Sequence, residues 1–291
     1  MTHHDYHLAA EAGTFEIGGN LTVNRLGFGA MRLTGSRVWD DSAEPEDREG
    51  AKRVLRRVLE LGINFIDTAD FYGPEANENL IREALHPYPE DLLVATKGGA
   101  VLYESGGWSP DGRPEHLRKA CEASLKRLGL EQIDLYQFHI PDPDVPYEES
   151  IGALAELESE GKVRHIGISN VTLAQLETAQ SIVPIASVQN RYSIAHRDDD
   201  DLVDACERDG IAFLPYHPLA TGDLAKPGGP LGEIAARHDA LAGQVALAWL
   251  LHRSPVIVPI PGTSSVDHLE ENVAAASISL GETDMQILDA A

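Results

Sequence analysis

Residues 133–189 read IDLYQFHIPDPDVPYEESIGALAELESEGKVRHIGISNVTLAQLETAQSIVPIASVQ, and this stretch decides the fold. Its three apolar runs, at 133–139, 163–169 and 185–189, have the length of buried strands. The two segments between them, 148–160 and 173–182, carry apolar residues at helical spacing. Strand and helix therefore alternate, which is typical of βαβ units that build a parallel sheet.

The same alternation continues on both sides of this stretch. It predicts further strands at 26–28, 65–69, 92–96, 211–215 and 256–260, and helices at 49–61, 77–85, 114–128, 202–208, 231–238, 244–251, 266–275 and 282–288. No Pro/Gly/Ser-rich linker interrupts the series. About eight repeats favour an α/β fold of the (β/α)8 TIM barrel type, since a doubly wound sheet normally has fewer.

The amino-terminal part precedes the first repeat. Residues 1–13 are expected to be flexible, and 14–291 to form one barrel domain with no separate second domain. Residues 14–17 and 21–23 flank Gly18-Gly19-Asn20, which predicts a β-hairpin that closes one end of the barrel.

Composition limits the kind of partner. The chain has 291 residues, with 47 acidic against 23 basic side chains and a formal net charge of −24, which argues against nucleic-acid binding. No apolar run is long enough for a signal peptide or a membrane span, so we expect a soluble cytoplasmic protein. The dispersed acids, with one dense run at 198–201, suggest the acidic proteome of a halophilic organism. An ordinary acidic enzyme stays open as the alternative.

Ionisable residues recur at the predicted carboxyl ends of the strands, where barrel enzymes place their chemistry. Asp67, Lys97 and His139 end the second, third and fourth strands, and Tyr72 follows in the loop after Asp67. An ammonium near a phenol favours the phenolate, so Lys97 is expected to lower the pKa of Tyr72. Asp67 would keep Lys97 charged, and His139 could hydrogen-bond a substrate oxygen. These residue types together predict a proton-transfer site.

Plainer interpretations of these residues exist. The Asp and Lys could form a structural ion pair, and the Tyr or His could pack in the core. A metal site that combines His139 with His165 or His217 lacks the local spacing of metal ligands, so no metal is predicted. No GxGxxG follows a strand, so a nicotinamide cofactor would have to be held in another way.

The chain resembles the aldo-keto reductases over residues 26–275. The resemblance rests on ordered motifs at 65–73, 95–97, 160–170 with Leu154 and Leu157, 188–190, 215–216, 218–219, 244–250, 259–262 and 271–272. It implies NAD(P)H-dependent reduction of a carbonyl group, with Tyr72 as proton donor, Lys97 and Asp67 tuning it and His139 orienting the carbonyl.

The resemblance also implies a set of cofactor-binding residues. These are Ser169, Asn170, Gln189, Tyr216, Pro218, Leu219, Gly262, Thr263, Ser264, Ser265, His268, Glu271 and Asn272. The first three would hydrogen-bond the nicotinamide carboxamide and Tyr216 would stack on the ring. Ser169 and Asn170 could instead cap the next helix, and Tyr216 could be rim packing.

The cofactor is expected to be NADPH. Residues 262–265 precede a helix, whose amino terminus suits a 2'-phosphate. Relatives often place a Lys or Arg in this stretch, and none occurs between Pro259 and Ala276, so NADH stays open.

The substrate is expected to be a small carbonyl compound. The loops resemble those of the bacterial branch that includes pyridoxal reductases, and an open pocket lined by Trp39, Tyr103 and Trp108 is expected, although large aromatics often only pack. A general aldehyde or sugar oxidoreductase is the alternative, followed by a regulatory barrel that binds cofactor with little turnover. A hydrolase or isomerase would need a metal cluster or paired carboxylates, which the sequence does not supply.

Overall fold

Eleven strands occur in the part of the chain that the computed structural model describes, which is residues 8–35, 45, 47–73, 75–102, 107–220 and 229–290. They are β1 (Thr14–Ile17), β2 (Leu21–Asn24), β3 (Phe28–Gly29), β4 (Phe65–Asp67), β5 (Leu93–Gly98), β6 (Ala100–Leu102), β7 (Trp108–Pro110), β8 (Ile133–Phe138), β9 (Val163–Ser169), β10 (Ile185–Gln189) and β11 (Ala212–Phe213). Seven of them form one parallel sheet in the order β11-β10-β9-β8-β5-β4-β3.

Residues 256–261 close this sheet into a barrel. On one side the N–H of Val258 donates to the carbonyl of Phe213 at 2.9 Å, and on the other the N–H of Gly27 donates to the carbonyl of Pro259 at 2.9 Å. A Cβ at Gly29 would lie 2.6 Å from the carbonyl oxygen of Ile260, so glycine permits this close approach. The segment occupies the place of the eighth strand, as the sequence predicts, although only Ile257 forms a bridge in it.

Helices surround the barrel at nearly the predicted positions. They are α1 (Arg48–Glu60), α2 (Ala76–Leu85), α3 (Pro114–Leu128), α4 (Tyr147–Ser159), α5 (Leu173–Gln180), α6 (Asp200–Asp209), α7 (Gly229–Arg237), α8 (Ala242–Arg253), α9 (Val266–Ala274) and α10 (Glu282–Asp289). Their apolar residues face the sheet at intervals of three and four; α1, for example, buries Ala51, Val54, Leu55 and Val58.

The hairpin of β1 and β2 covers the amino-terminal end of the barrel. Its side chains Ile17 and Val23 are fully buried in one apolar cluster with Phe65, Leu93 and Leu135, which point into the barrel. The predicted closing role of this hairpin is therefore confirmed, and the opposite, carboxyl-terminal end is left for the site.

Some local features differ from the sequence prediction. Leu8–Ala12 forms a short 3-10 helix with Ala9 buried, inside the stretch that was expected to be flexible. The antiparallel hairpin of β6 and β7 was not predicted. Trp39 and Tyr103 lie outside the described residues. Cys121 and Cys206 are free and buried. In the described part of the chain, no helix has both the length and the apolar character that crossing a bilayer requires.

Candidate active site

Three neighbouring strands bring the predicted proton-transfer residues together. Asp67 ends β4, Lys97 lies in β5 and His139 follows β8, and these strands are adjacent and parallel. The Nζ of Lys97 lies 2.6 Å from Oδ2 of Asp67, and it donates to the carbonyl of Thr68 at 2.9 Å and to the hydroxyl of Tyr72 at 3.3 Å. Lys97 is fully buried, and Asp67 and Tyr72 are exposed by 3% and 7%.

The Asp67–Lys97 pair keeps the lysine charged. Burial acts to lower the pKa of Lys97, but Asp67 and Tyr72 outweigh this effect, so the pKa is raised above its ordinary value. A charged ammonium therefore sits beside the phenol of Tyr72 at neutral pH.

Two opposing effects act on the pKa of Tyr72. Burial raises it, and Lys97 opposes this rise without overcoming it, so the net pKa lies above 10. Lys97 acts to lower the pKa, as the sequence predicts, but the sequence does not show the loss of water around the phenol, which has the larger effect. Tyr72 is consequently protonated at neutral pH, which is the form that can donate.

His139 is a neutral imidazole. Burial, with a smaller contribution from Lys97, lowers the pKa of His139 to about 3. Its ring meets the ring of Tyr72 edge-on, with the centroids 6.0 Å apart. A neutral ring at this place can hydrogen-bond an oxygen next to the phenol without adding a charge.

These side chains open onto a cavity of about 880 Å³ at the carboxyl end of the barrel. Lys97 is not in the wall, because it lies behind Asp67 and Tyr72. The wall includes these predicted residues: Asp67, Tyr72, Trp108, His139, Ser169, Asn170, Gln189, Tyr216, Pro218, Leu219, Gly262, Thr263, Ser264, His268, Glu271 and Asn272.

Ser265 is the one predicted cofactor residue that the cavity wall does not include. It precedes α9, where its hydroxyl accepts a long bond from the N–H of His268 at 3.4 Å and its own N–H donates to Oγ1 of Thr263 at 3.0 Å. The structure therefore gives Ser265 the role of a helix cap.

Ser169 and Asn170 belong to the cavity and not to a helix cap. The cap of α5 is Thr172, which exchanges hydrogen bonds with Gln175. Asn170 instead donates to the carbonyl of His139 at 2.9 Å and accepts from the hydroxyl of Tyr216 at 2.8 Å. The capping alternative is thus excluded, and these side chains are fixed beside the imidazole.

Several residues in and behind the cavity wall were missed by the sequence analysis, and three of them contact predicted residues. Gln137 donates from Nε2 to Oδ1 of Asp67 at 2.8 Å. Arg32 lines the cavity, and its Cγ would lie 3.7 Å from a Cβ built on Gly262. Phe71 packs edge-on against His139 and Trp108, with centroids 6.0 and 6.1 Å apart. Strand alternation could have indicated Gln137, because it places this side chain on the same face of the sheet as Lys97. Arg32 and Phe71 lie outside the strands, and no sequence pattern indicated that they line the cavity.

Among the described residues no three His, Cys, Asp or Glu side chains cluster closely enough to hold a metal ion.

A (β/α)8 barrel with a buried Asp, Lys and Tyr beside a neutral His is the arrangement that the resemblance to the aldo-keto reductases implies. The chain belongs to the Aldo/keto reductase family, whose sequence model matches residues 25–291. It is 47% identical to pyridoxine 4-dehydrogenase of Escherichia coli over 284 residues, which covers 96% of this chain and 98% of the relative. It is also 49% identical to an uncharacterized oxidoreductase of Schizosaccharomyces pombe over 281 residues, covering 97% and 90% of the two chains.

Solved structures of the family superpose closely. A thermostable aldo-keto reductase crystallised with the inhibitor epalrestat has a TM-score of 0.83 at 32% identity, with 95% of this chain and 98% of that chain covered. An aldo/keto reductase of Klebsiella pneumoniae in complex with NADP and acetate has a TM-score of 0.80 at 25% identity, with 95% and 94% covered.

Proposed function

We propose that this enzyme reduces an aldehyde or ketone reversibly with NADPH, and that Tyr72 supplies the proton. The observation that carries the proposal is the position of the Lys97 ammonium, which donates hydrogen bonds to both Asp67 and Tyr72. All three side chains are buried, and Asp67 and Tyr72 line the cavity. When bound, the cofactor supplies the hydride.

The chain's own residues move and stabilise the proton. Tyr72 donates its hydroxyl proton to the carbonyl oxygen, and the ammonium of Lys97, 3.3 Å away, stabilises the phenolate that results. Asp67 keeps Lys97 charged and in place. Neutral His139 hydrogen-bonds the carbonyl oxygen and orients it toward Tyr72. In the reverse direction the phenolate takes the proton of an alcohol.

The cavity fits a dinucleotide on observations of its own. Gln189, Ser169 and Asn170 present polar atoms beside Tyr72 and His139, which suits a carboxamide, and Tyr216 lies next to them for the ring. At the far end Gly262, Thr263 and Ser264 line the wall, just before the amino terminus of α9, where a phosphate could bind. The site therefore has a place for each end of the cofactor.

The charges at the far end of the cavity favour NADPH. The amino terminus of α9 begins at Val266, next to Thr263 and Ser264. Residues 259–276 contain no Lys or Arg, but Arg32 supplies a positive charge in the same wall of the cavity. Phosphate groups are stabilised by both features. Glu271 in the same wall opposes them, so the ratio of kcat/KM with NADPH and NADH is the measurement of this preference.

Pyridoxal is the proposed substrate. The relative from Escherichia coli is named for pyridoxine 4-dehydrogenation. In this chain Phe71 and Trp108 form an aromatic edge beside His139, which suits a flat aromatic aldehyde. Steady-state rates with pyridoxal, small aliphatic aldehydes and sugars decide between this substrate and a general aldehyde or sugar oxidoreductase.

Replacement of the proton donor tests the mechanism. Tyr72→Phe is expected to lower kcat for carbonyl reduction by about 100-fold or more, because general acid catalysis is lost. Binding of NADPH, followed by protein fluorescence, is expected to stay near that of the parent enzyme. Tyr88→Phe is the matched control, since its hydroxyl only donates to the carbonyl of Leu128. Near-parental turnover in Tyr72→Phe refutes the assignment.

We further propose that the enzyme works in a salt-rich cytoplasm. The support is the net charge of −24 on 291 residues, which dilute salt leaves poorly screened.

A further inference from the structure

Gln137 lies in the barrel wall between the proton-transfer group and the proposed nicotinamide site. Its side chain is fully buried in β8 and does not line the cavity. Nε2 donates to Oδ1 of Asp67 at 2.8 Å, and Oε1 accepts from Nε2 of Gln189 at 3.1 Å. Gln189 also donates to Oδ1 of Asp67, at 2.8 Å. One amide thus connects Asp67 and Gln189, which contribute to different halves of the site.

The carboxylate fixes how both amides are turned. An ionised carboxylate only accepts hydrogen bonds, so Gln137 and Gln189 must both point nitrogen toward Asp67. The second N–H of Gln189 is then taken by Oε1 of Gln137. Both hydrogens of Gln189 are therefore used inside the wall, and its Oε1 is the atom left to accept a hydrogen bond from the cavity.

Space for Gln137 comes from a glycine on the next strand. A Cβ at Gly167 would lie 2.7 Å from Cγ of Gln137 and 2.2 Å from Oγ of Ser187. Such contacts are closer than real Cβ atoms make, so any side chain at Gly167 would displace Gln137. The absence of a side chain at Gly167 therefore leaves the space that Gln137 occupies.

We propose that Gln137 is a positioning residue, which holds Gln189 with its carbonyl oxygen toward the cavity and holds the carboxylate that pairs with Lys97. The inference rests on the proposed function, because the group that Gln189 faces is the carboxamide of NADPH. Through this one side chain the orientation of the cofactor amide is coupled to the ion pair behind the proton donor.

Gln137→Glu tests the proposal through pH. The protonated acid has the shape of the amide, and it can donate to Asp67 and accept from Gln189. The carboxylate can do only the latter, and it faces Asp67 with a like charge, which raises the pKa of the new acid. The charged or titratable groups around position 137 are Asp67, Lys97 and, beyond Lys97, Tyr72; β9 and β10 present Gly167, Ser187 and Gln189, which do not titrate in this range.

The quantity measured is kcat/KM of Gln137→Glu divided by that of the parent enzyme at the same pH. We expect this ratio to be about 0.1 or lower near pH 8, as for loss of a hydrogen bond to a charged group, and to rise toward 1 as the pH falls. Division by the parent value removes the part of the pH dependence that the two enzymes share. Gln132→Glu is the control, because Gln132 bonds the carbonyl of Gly161 at the surface, and its ratio should not change with pH.

A second variant removes both hydrogen bonds at every pH. Gln137→Met has a similar length and no amide, so its dissociation constant for NADPH, measured by fluorescence without turnover, should rise about tenfold. A Gln137→Glu ratio that is constant with pH overturns the proposal, and so does an unchanged dissociation constant in Gln137→Met. A parent enzyme that oxidises NADPH with none of the carbonyl compounds overturns the proposed function instead, so the two failures are distinguishable.

Discussion

At the scale of single residues, His139 links the chemistry to the stability of the protein. Its pKa in the folded state is about 3, below the ordinary value of 6.5 that it has in the unfolded chain. Between these values the unfolded state binds a proton and the folded state does not, so falling pH favours unfolding. The neutral ring that the mechanism requires is thus maintained at the cost of acid stability.

His139→Gln is expected to reduce this acid sensitivity. The free energy of unfolding of the parent enzyme should fall more steeply than that of the variant as the pH decreases from 6.5 toward 3, by up to about 1.4 kcal/mol per pH unit. Urea unfolding at several pH values measures both slopes. Equal slopes would show that His139 does not titrate as its surroundings suggest.

The sequence predicted that the side chains of the candidate site lie close together, but it did not predict all of their electrostatics. Asp67, Tyr72, Lys97 and His139 follow strands whose carboxyl ends meet, so their proximity could be inferred from the alternation alone. The pKa of Tyr72 could not, because desolvation depends on atoms from several distant segments. The role of Gln137 could not be predicted for a similar reason, because its hydrogen-bond partners lie in β4 and β10, far away in the chain.

At the scale of elements, the loop that carries Tyr72 is held by α2 and α3. Glu78 of α2 is fully buried; its carboxylate accepts from Oγ1 of Thr96 and from Nε of Arg127 in α3, both at 2.5 Å. Arg127 also reaches Glu75, one residue before α2. The ion pairs of Arg127 therefore fix the start of α2 to the end of α3, next to the strand that holds Lys97.

Arg127→Met is expected to destabilise the protein by about 3 kcal/mol, because it leaves a buried carboxylate without its cation. The double variant Glu78→Gln with Arg127→Met should recover part of this loss, since the charge itself is removed. Urea unfolding provides the free energies. Arg82→Met is the control, because Arg82 donates to a backbone carbonyl, that of Lys126, and forms no ion pair with another described residue. Equal effects of Arg127→Met and Arg82→Met would contradict the argument.

Element positions were predictable where apolar periodicity is strong. The bounds of α3 were predicted to the residue, with Pro114 at its start and Gly129 in the left-handed conformation after its end. The strands at 65–69 and 211–215 are shorter than predicted, because their last residues leave the ladder to form the rim of the site. The hairpin of β6 and β7 follows directly on β5 in the chain, so periodicity did not separate it from that strand.

At the scale of the whole molecule, part of the acidity has a local structural use. In the dense run at 198–201, Asp199 accepts from Nδ2 of Asn190 at 3.0 Å, and Asp200 accepts from Arg253 at 3.3 Å. These bonds hold the loop after β10 against α6 and α8. These two acids therefore stabilise the local structure, and the repulsion that salt would screen comes from the exposed acids elsewhere on the surface.

Exposed acids far from any structural role should make the stability depend on salt. From about 0.1 M to about 1 M KCl the screening length falls from about 10 Å to about 3 Å, which removes most repulsion across a surface of charge −24. We expect Tm to rise by roughly 2 °C or more over this range, the shift that about 1 kcal/mol produces in a chain of this size. Scanning calorimetry in KCl measures it.

A charge variant separates repulsion from other effects of salt. Glu90→Gln, Asp91→Asn and Glu131→Gln together remove three exposed negative charges that lie outside the site. Because repulsion is then weaker at every salt concentration, Tm in dilute buffer should be higher and the gain on adding KCl smaller than in the parent enzyme. A parent Tm that does not respond to KCl would mean that the ion pairs of the folded state already balance the excess charge, and the salt-rich cytoplasm would lose its physical basis.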